Sequence, residues 1–172
     1  MEHISTREAV KLILNLPKNS AATITAHHLE LTLNDVMGDR FYPHNFCKPI
    51  AKGVEDRAFL LECAMSGNPK FFFDSDSAPQ PIRRKECSSV KPGIFSSPVA
   101  LPLLAQIFEK YGNLVMLKDF VSGFGADFYG LPRNQEAISL IKEEWIVPFN
   151  INGTYDLLVP FMAGKKISWQ VK

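Results

Sequence analysis

The feature that most constrains this chain is the way its short apolar runs end. "AATITA" (21–26) runs into His27 and His28, and "KFFFDSD" (70–76) stops on Asp74 and Asp76. "MEHI" (1–4) carries His3. Runs rich in β-branched and aromatic residues are the interiors of buried strands. Polar groups placed where such strands stop belong on a rim that a ligand can reach. Between the runs lie stretches with helical signals. "STREAVKLILNL" (5–16) opens with Ser5 and Glu8 in capping-box spacing and keeps apolar residues at helical intervals until Pro17. "VEDRAFLLECAMSG" (54–67) repeats the pattern and closes on Gly67. "HNFCKPI" (44–50) reads as a further short strand broken by Pro49. Strand, helix and strand in regular succession predict a parallel α/β arrangement, open or closed as a barrel. His3, His28 and Asp76 at or just beyond strand ends favour the barrel, whose enzymes carry their catalytic groups there.

Composition narrows the class. A chain of 172 residues, 46% hydrophobic and 22% charged, is long enough for one domain with a real core. The formal charge of +1 gives no field for nucleic acid or an anionic membrane surface, and the basic cluster Arg83, Arg84 and Lys85 is short. Cys47, Cys63 and Cys87 have neither zinc-knuckle nor disulfide-framework spacing, so reduced thiols and a cytoplasmic location are expected. No stretch reaches the roughly 18 apolar residues of a membrane span, and the start shows no signal pattern. After Gly93, segments 98–111, 115–124 and 135–146 read as helices, and "YDLLVPF" with "KKISWQVK" reads as a terminal strand pair. No internal repeat or low-complexity linker points to a second domain.

The candidate chemistry is a metal site. Two histidines and an aspartate from three strand ends suit a divalent metal such as zinc. Of the adjacent His27 and His28, at most one side chain points toward a common centre. His44, between Pro43 and Asn45, reads as a loop residue. Asp74 and Asp76 share a face, where repulsion raises a pKa unless a cation or donor sits between them. The bland reading of Asp76 is a cap bonded to the amides of Ala78 and beyond. Ser77 and Cys87 lack a base partner, which argues against nucleophilic catalysis.

"MEHIST", "AATITAHHL", "NFCKPIAKGVEDR", "KFFFDSDSAP", "DFYGLP" and "LLVPFMAGKKISWQVK", in this order and spacing, resemble the C-terminal half of the homodimeric-type dihydroorotases of bacteria and fungi. The resemblance implies half of a TIM-type (β/α)8 amidohydrolase barrel. Its strands would lie within 1–80, and a helical layer and C-terminal extension would occupy 93–172 of one partial domain. It also implies two zinc ions bridged by a carboxylated lysine and a hydroxide. The implied reaction is the reversible closure of N-carbamoyl-L-aspartate to L-dihydroorotate in pyrimidine synthesis. By motif, His3 and His28 would bind one zinc, while Asp76 would bind the other and shuttle a proton. Lys48, Gln80 and Pro92 fall on substrate-binding positions. The partner expected is a small-molecule substrate, with a homodimer once the barrel is complete.

Several departures accompany the resemblance. Asp74 stands where the family usually has glycine, so it is expected to be a dispensable extra charge. Gln80 stands where the family has a histidine that grips the substrate carboxylate. The "HxH" strand and the bridging-lysine strand are not in this chain. About four of eight barrel strands leave unpaired sheet edges, so a truncated gene is the expected explanation. Two other readings are an inactive remnant that associates with a full-length homologue and a hydrolase of another cyclic amide.

Overall fold

The computed structural model describes residues 1–154 and 156–172. In chain order it contains α1 (Arg7–Asn15), β1 (Ala22–Ile24), α2 (Ala26–Glu30), α3 (Leu33–Met37), α4 (Val54–Met65), β2 (Phe71–Phe73), α5 (Ile82–Lys85), α6 (Ala100–Lys110) and α7 (Phe124–Tyr129). Six two-residue strands follow: β3 (Leu140–Ile141), β4 (Trp145–Ile146), β5 (Ile151–Asn152), β6 (Leu157–Leu158), β7 (Lys166–Ile167) and β8 (Gln170–Val171). Among the described residues, no helix is long and apolar enough to cross a membrane.

The first helix starts one residue later than the capping-box spacing predicts. Thr6 is its N-cap, accepting from the Ala9 amide at 3.1 Å, while Ser5 is buried beneath it. α1 buries Val10 and Ile13 and packs on α4. Lys70, the residue before β2, donates to the Ile13 and Leu16 carbonyls at 2.9 and 2.6 Å, satisfying orphan acceptors at the end of α1.

β1 and β2 pair in parallel, with Ala22 opposite Phe71, Thr23 opposite Phe72 and Ile24 opposite Phe73. The Asp74 amide extends this ladder to the Ile24 carbonyl at 3.2 Å. Residues 1–4 lie along the other edge of β1 but form no regular strand, which corrects the stub predicted there. Thr23 donates to the Met1 carbonyl and accepts from the Ile4 amide, both at 3.0 Å. A regular parallel ladder would use residues two apart, so one residue is extra. The extra residue is His3, whose backbone is left-handed (φ 40°) and whose amide turns to the Thr23 hydroxyl at 2.8 Å.

Three further expectations are overturned. Residues 44–50 form no strand: Pro43–Asn45 is a 3-10 turn and an irregular loop follows, as Pro43 and Pro49 remove amide donors that a ladder needs. Residues 135–146 form no helix, because Leu140 and Ile141 pair with β8 and Trp145 and Ile146 pair with β7. Nor, among the described residues, do 156–161 and 165–172 pair with each other. β6 pairs with β5, while β7 and β8 pair with β4 and β3, and Tyr155 lies outside the described residues. These pairings are nested: β3–β8 encloses β4–β7, which encloses β5–β6.

The helical expectation over 98–111 matches α6, which supplies Leu103, Leu104, Ile107 and Phe108 to the core. Over 115–124 the chain is helical but irregular, a 3-10 turn at Leu114–Met116 followed by a π-helical turn at Asp119–Gly123. That turn places Phe120 between Phe73 and Phe108, with ring centroids at 6.4 and 5.4 Å. Val147, Phe161 and Ile167 from the C-terminal layer join the same buried cluster as Ile24 and Phe71.

Candidate functional site

The ends of β1 and β2 and the bulge beside them bring His3, Asp74, Asp76 and His27 together. Asp74 sits at the hub. Its Oδ2 accepts from His3 Nδ1 at 2.7 Å and from the Thr23 hydroxyl at 3.3 Å, and its Oδ1 accepts from the Asp76 amide at 3.1 Å. Asp76, like His3, is left-handed (φ 36°), a conformation that aspartate tolerates better than most residues. Its carboxylate makes no hydrogen bond to the amide of Ala78, which donates instead to the Ile94 carbonyl at 2.9 Å. Asp76 is therefore no cap. Burial pushes its carboxyl above the usual range, His3 pulls it back, and Asp74 and Glu2 add to the rise.

His27 follows from the way α2 begins. Thr25 is the N-cap, so His27 and His28 occupy the first turn and point in different directions. His27 is fully buried, neither ring nitrogen has a partner, and Nε2 lies 4.0 Å from Asp76 Oδ2. That distance exceeds hydrogen-bond length. Burial, followed by His28 and His3, holds this imidazole well below its ordinary pKa, so it is neutral near pH 7. Phe161 closes over it edge-on, ring centroids 6.3 Å apart.

His28 is held by two ring hydrogen bonds. Its Nε2 meets the Pro49 carbonyl at 2.9 Å, and since a carbonyl only accepts, Nε2 carries the proton. Nδ1 then accepts from the Thr25 hydroxyl at 2.8 Å, and the same oxygen takes the His28 amide at 3.2 Å. Both ring nitrogens are thus engaged, and His28 makes no hydrogen bond or ion pair with His3 or Asp76 among the described residues. Its geometry is that of a brace between the cap of α2 and the Pro49 loop. Cys47 belongs to the same cluster: the donor atoms of His27, His28 and Cys47 lie within 4.8 Å of one another. The Pro49 carbonyl joins two of the three, accepting from Cys47 Sγ at 3.2 Å and from His28 Nε2 at 2.9 Å. Burial pushes the Cys47 thiol up to about 11, so it stays protonated.

Lys48, Gln80 and Pro92 sit on three loops drawn together by backbone bonds. The Gly93 amide donates to the Phe46 carbonyl at 2.9 Å, and Ala78 and Ile94 join as described above. Gly93 is left-handed (φ 131°), and a Cβ there would meet the Ala78 carbonyl at 2.4 Å, so only glycine permits this approach. The buried Lys85 pins the loops from beneath, donating to the carbonyls of Phe46, Lys91 and Gly93 at 3.0, 3.1 and 2.7 Å. Lys48 is exposed and Gln80 and Pro92 are half-buried, and neither Lys48 nor Gln80 spends its side chain on an internal hydrogen bond among the described residues. His44, read as a loop residue, pairs with Glu86 at 2.8 Å on a 3-10 turn.

A zinc ion suits part of this donor set. With Nδ1 on Asp74, His3 Nε2 and the Asp76 carboxylate have no side-chain hydrogen bond among the described residues. Together they offer one nitrogen and one carboxylate of the kinds zinc takes. That is fewer than the four donors of a closed tetrahedral site. His27 and the Asp74–His3 contact are what sequence reasoning missed. The two-residue spacing of Asp74 and Asp76 was the available signal for the second.

No family model matches the chain. Among curated proteins, the dihydroorotase of Nitrosomonas europaea is 44% identical over 170 residues, covering 99% of this chain and 49% of its own length. The crystal structure of dihydroorotase from Campylobacter jejuni superposes with a TM-score of 0.91 at 41% identity, over 100% of this chain and 50% of its own. Dihydroorotase from Saccharomyces cerevisiae, in complex with 5-fluoroorotic acid, gives 0.88 at 42% identity, with the same coverage. The chain spans about half the length of the relatives it matches. Agreement in sequence and in backbone along the whole of this chain shows that it is a homologue of half of a dihydroorotase.

Proposed function

We propose that the protein is the C-terminal half of a cytoplasmic dihydroorotase. It would supply part of an amidohydrolase-type (β/α)8 barrel that reversibly closes N-carbamoyl-L-aspartate to L-dihydroorotate, as a homodimer once the barrel is complete. The observation that carries this reading is Asp76: a strand-end carboxylate with a raised pKa, unpaired, beside a histidine with a free nitrogen, in a chain of this family. His3 and Asp76 would hold zinc, which when bound lowers the pKa of water to about 7 and polarises a carbonyl. By the motif match His28 would be a third ligand, and its ring nitrogens here meet the Thr25 hydroxyl and the Pro49 carbonyl.

In the hydrolytic direction a C–N bond of the cyclic amide breaks and a C–O bond forms. Asp76 accepts the proton released by the attacking water and returns it to the leaving nitrogen. A carboxyl lifted by burial is a better proton acceptor than one at its ordinary value. The yeast relative holds 5-fluoroorotic acid, a pyrimidine carboxylic acid. A ligand of that class would find a cation in Lys48 and a neutral hydrogen-bond donor in Gln80, on loops that meet at Gly93.

The test is Asp76→Asn, assayed for dihydroorotate hydrolysis with the chain supplemented by the N-terminal half of a related dihydroorotase. The expected result is a loss of about 10²-fold to 10⁴-fold in rate with folding retained. Near-normal turnover would sink the assignment. Gln80→His in the same assay should lower the Michaelis constant with little change in maximal rate, since its partner is a carboxylate remote from the scissile bond.

A further inference from the structure

We propose that Asp74 is a positioning residue for His3. It holds the imidazole in its Nδ1–H form and turns Nε2 out toward the place where the Asp76 carboxylate points. The inference rests on the reading of His3 as a metal donor.

Three observations converge on it. The first is the hub itself. Asp74 collects the ring of His3, the hydroxyl of Thr23 and the amide of Asp76, so one carboxylate ties the bulged edge segment, β1 and the segment after β2 into a single unit. The second is the bulge. The extra residue that breaks the ladder between 1–4 and β1 is His3, and Thr23 serves both partners: its hydroxyl accepts from the His3 amide and donates to Asp74. A bulge re-aims a side chain, and here it aims an imidazole at a carboxylate. The third is what remains free. A carboxylate only accepts, so the 2.7 Å contact assigns a proton to Nδ1, and in the neutral ring Nε2 then holds a lone pair. The His3 side chain is 26% exposed and Nε2 has no partner among the described residues.

Histidines that bind metals are oriented in this way by a carboxylate or carbonyl on the other nitrogen, which fixes both tautomer and ring plane. Asp74 therefore does more than add charge at a position where glycine would do. It also explains how the two aspartates divide their work: Asp74 spends both oxygens on orientation, and Asp76 keeps its own for chemistry.

The test uses the chain as it stands, labelled with ¹⁵N and read by long-range ¹H–¹⁵N correlation of the imidazoles near pH 9, above the range in which they titrate. The wild type should show His3 as the Nδ1–H tautomer, and this measurement needs no variant. Asp74→Asn, whose amide oxygen can accept the same proton, should keep that tautomer, and Asp74→Gly should lose it. An Nε2–H tautomer in the wild type, or one unchanged in Asp74→Gly, would overturn the proposal. Zinc titration followed at the His3 ring should then require roughly 10-fold to 100-fold more metal in Asp74→Gly. If zinc moves the His3 ring in both proteins at the same metal concentration, the proposal is also overturned. If the tautomers behave as expected and zinc moves the His3 ring in neither, the metal-donor reading of His3 fails while the orienting role of Asp74 stands.

Discussion

The strands of residues 22–73 and those of residues 140–171 solve the same pairing problem in opposite ways. β1 and β2 are parallel, far apart in sequence and buried, and they need α2, α3 and α4 between them to meet. The six later strands are antiparallel, two residues each, and nested so that every pair closes around the next. The later region therefore folds back on itself and touches the core through single residues such as Val147, Phe161 and Ile167. Parallel strands all end on the same side, so their last residues converge, whereas nested hairpins scatter theirs along the layer. That is why His3, Asp74, Asp76 and His27 gather at one end of the first region. The second region contributes to the site mainly a lid over His27, through Phe161.

The largest expected difference between the regions lies in the core. Phe71→Ala, at a buried site in β2, should destabilise by about 3–5 kcal/mol in urea unfolding. A loss below about 1 kcal/mol would mean that the β1–β2 pair is not the organising centre. Acid should strike the same region next. His28 is held at about 4 in the folded chain against 6.5 when exposed, chiefly by burial, with the Pro49 contact partly restoring it. Between those values the unfolded chain binds more protons, so this contribution is present above about pH 6.5 and is lost as pH falls toward about 4. The full displacement corresponds to about 3 kcal/mol. His27 adds in the same direction. Unfolding midpoints at pH 7 and pH 4.5 check this, and His28→Gln should flatten the dependence even where it lowers stability overall.

Thr25→Ala sharpens the contrast at a single hydroxyl. It removes the N-cap of α2 and the partner of His28 Nδ1, so a loss of about 1–2 kcal/mol is expected. Its effect should appear as faster amide exchange in α2 with β3–β8 unchanged. The smallest effect should come from the nested layer, where Leu157→Ala at a 40% exposed position should change stability by no more than about 0.5 kcal/mol. A cost there approaching that of Phe71→Ala would abolish the distinction between the two regions.

Read by itself, the sequence determined the α/β class, α1, α4, α6 and both parallel strands. Each of these rests on signals within one segment: the apolar spacing of 7–15 and 54–65, the β-branched and aromatic content of 22–24 and 71–73. Family blocks along the chain also pointed to the right family. What failed were segments whose fate depends on distant partners. Residues 135–146 carry a helical rhythm, yet Leu140 and Trp145 are claimed by Val171 and Ile167, and pairing overrides so weak a local preference. The site divides along the same line. That Asp76 would stand just beyond a strand end was legible. The orientation of His27 and His28 was not, because it turns on one helix cap and on the Pro49 carbonyl 21 residues away. Nor was the grip of Asp74 on His3 legible, a contact spanning 71 residues. Only the parallel pairing of β1 with β2, together with the bulge at residue 3, brings those two groups within 2.7 Å, and proximity across such a separation is a property of packing that no local pattern encodes.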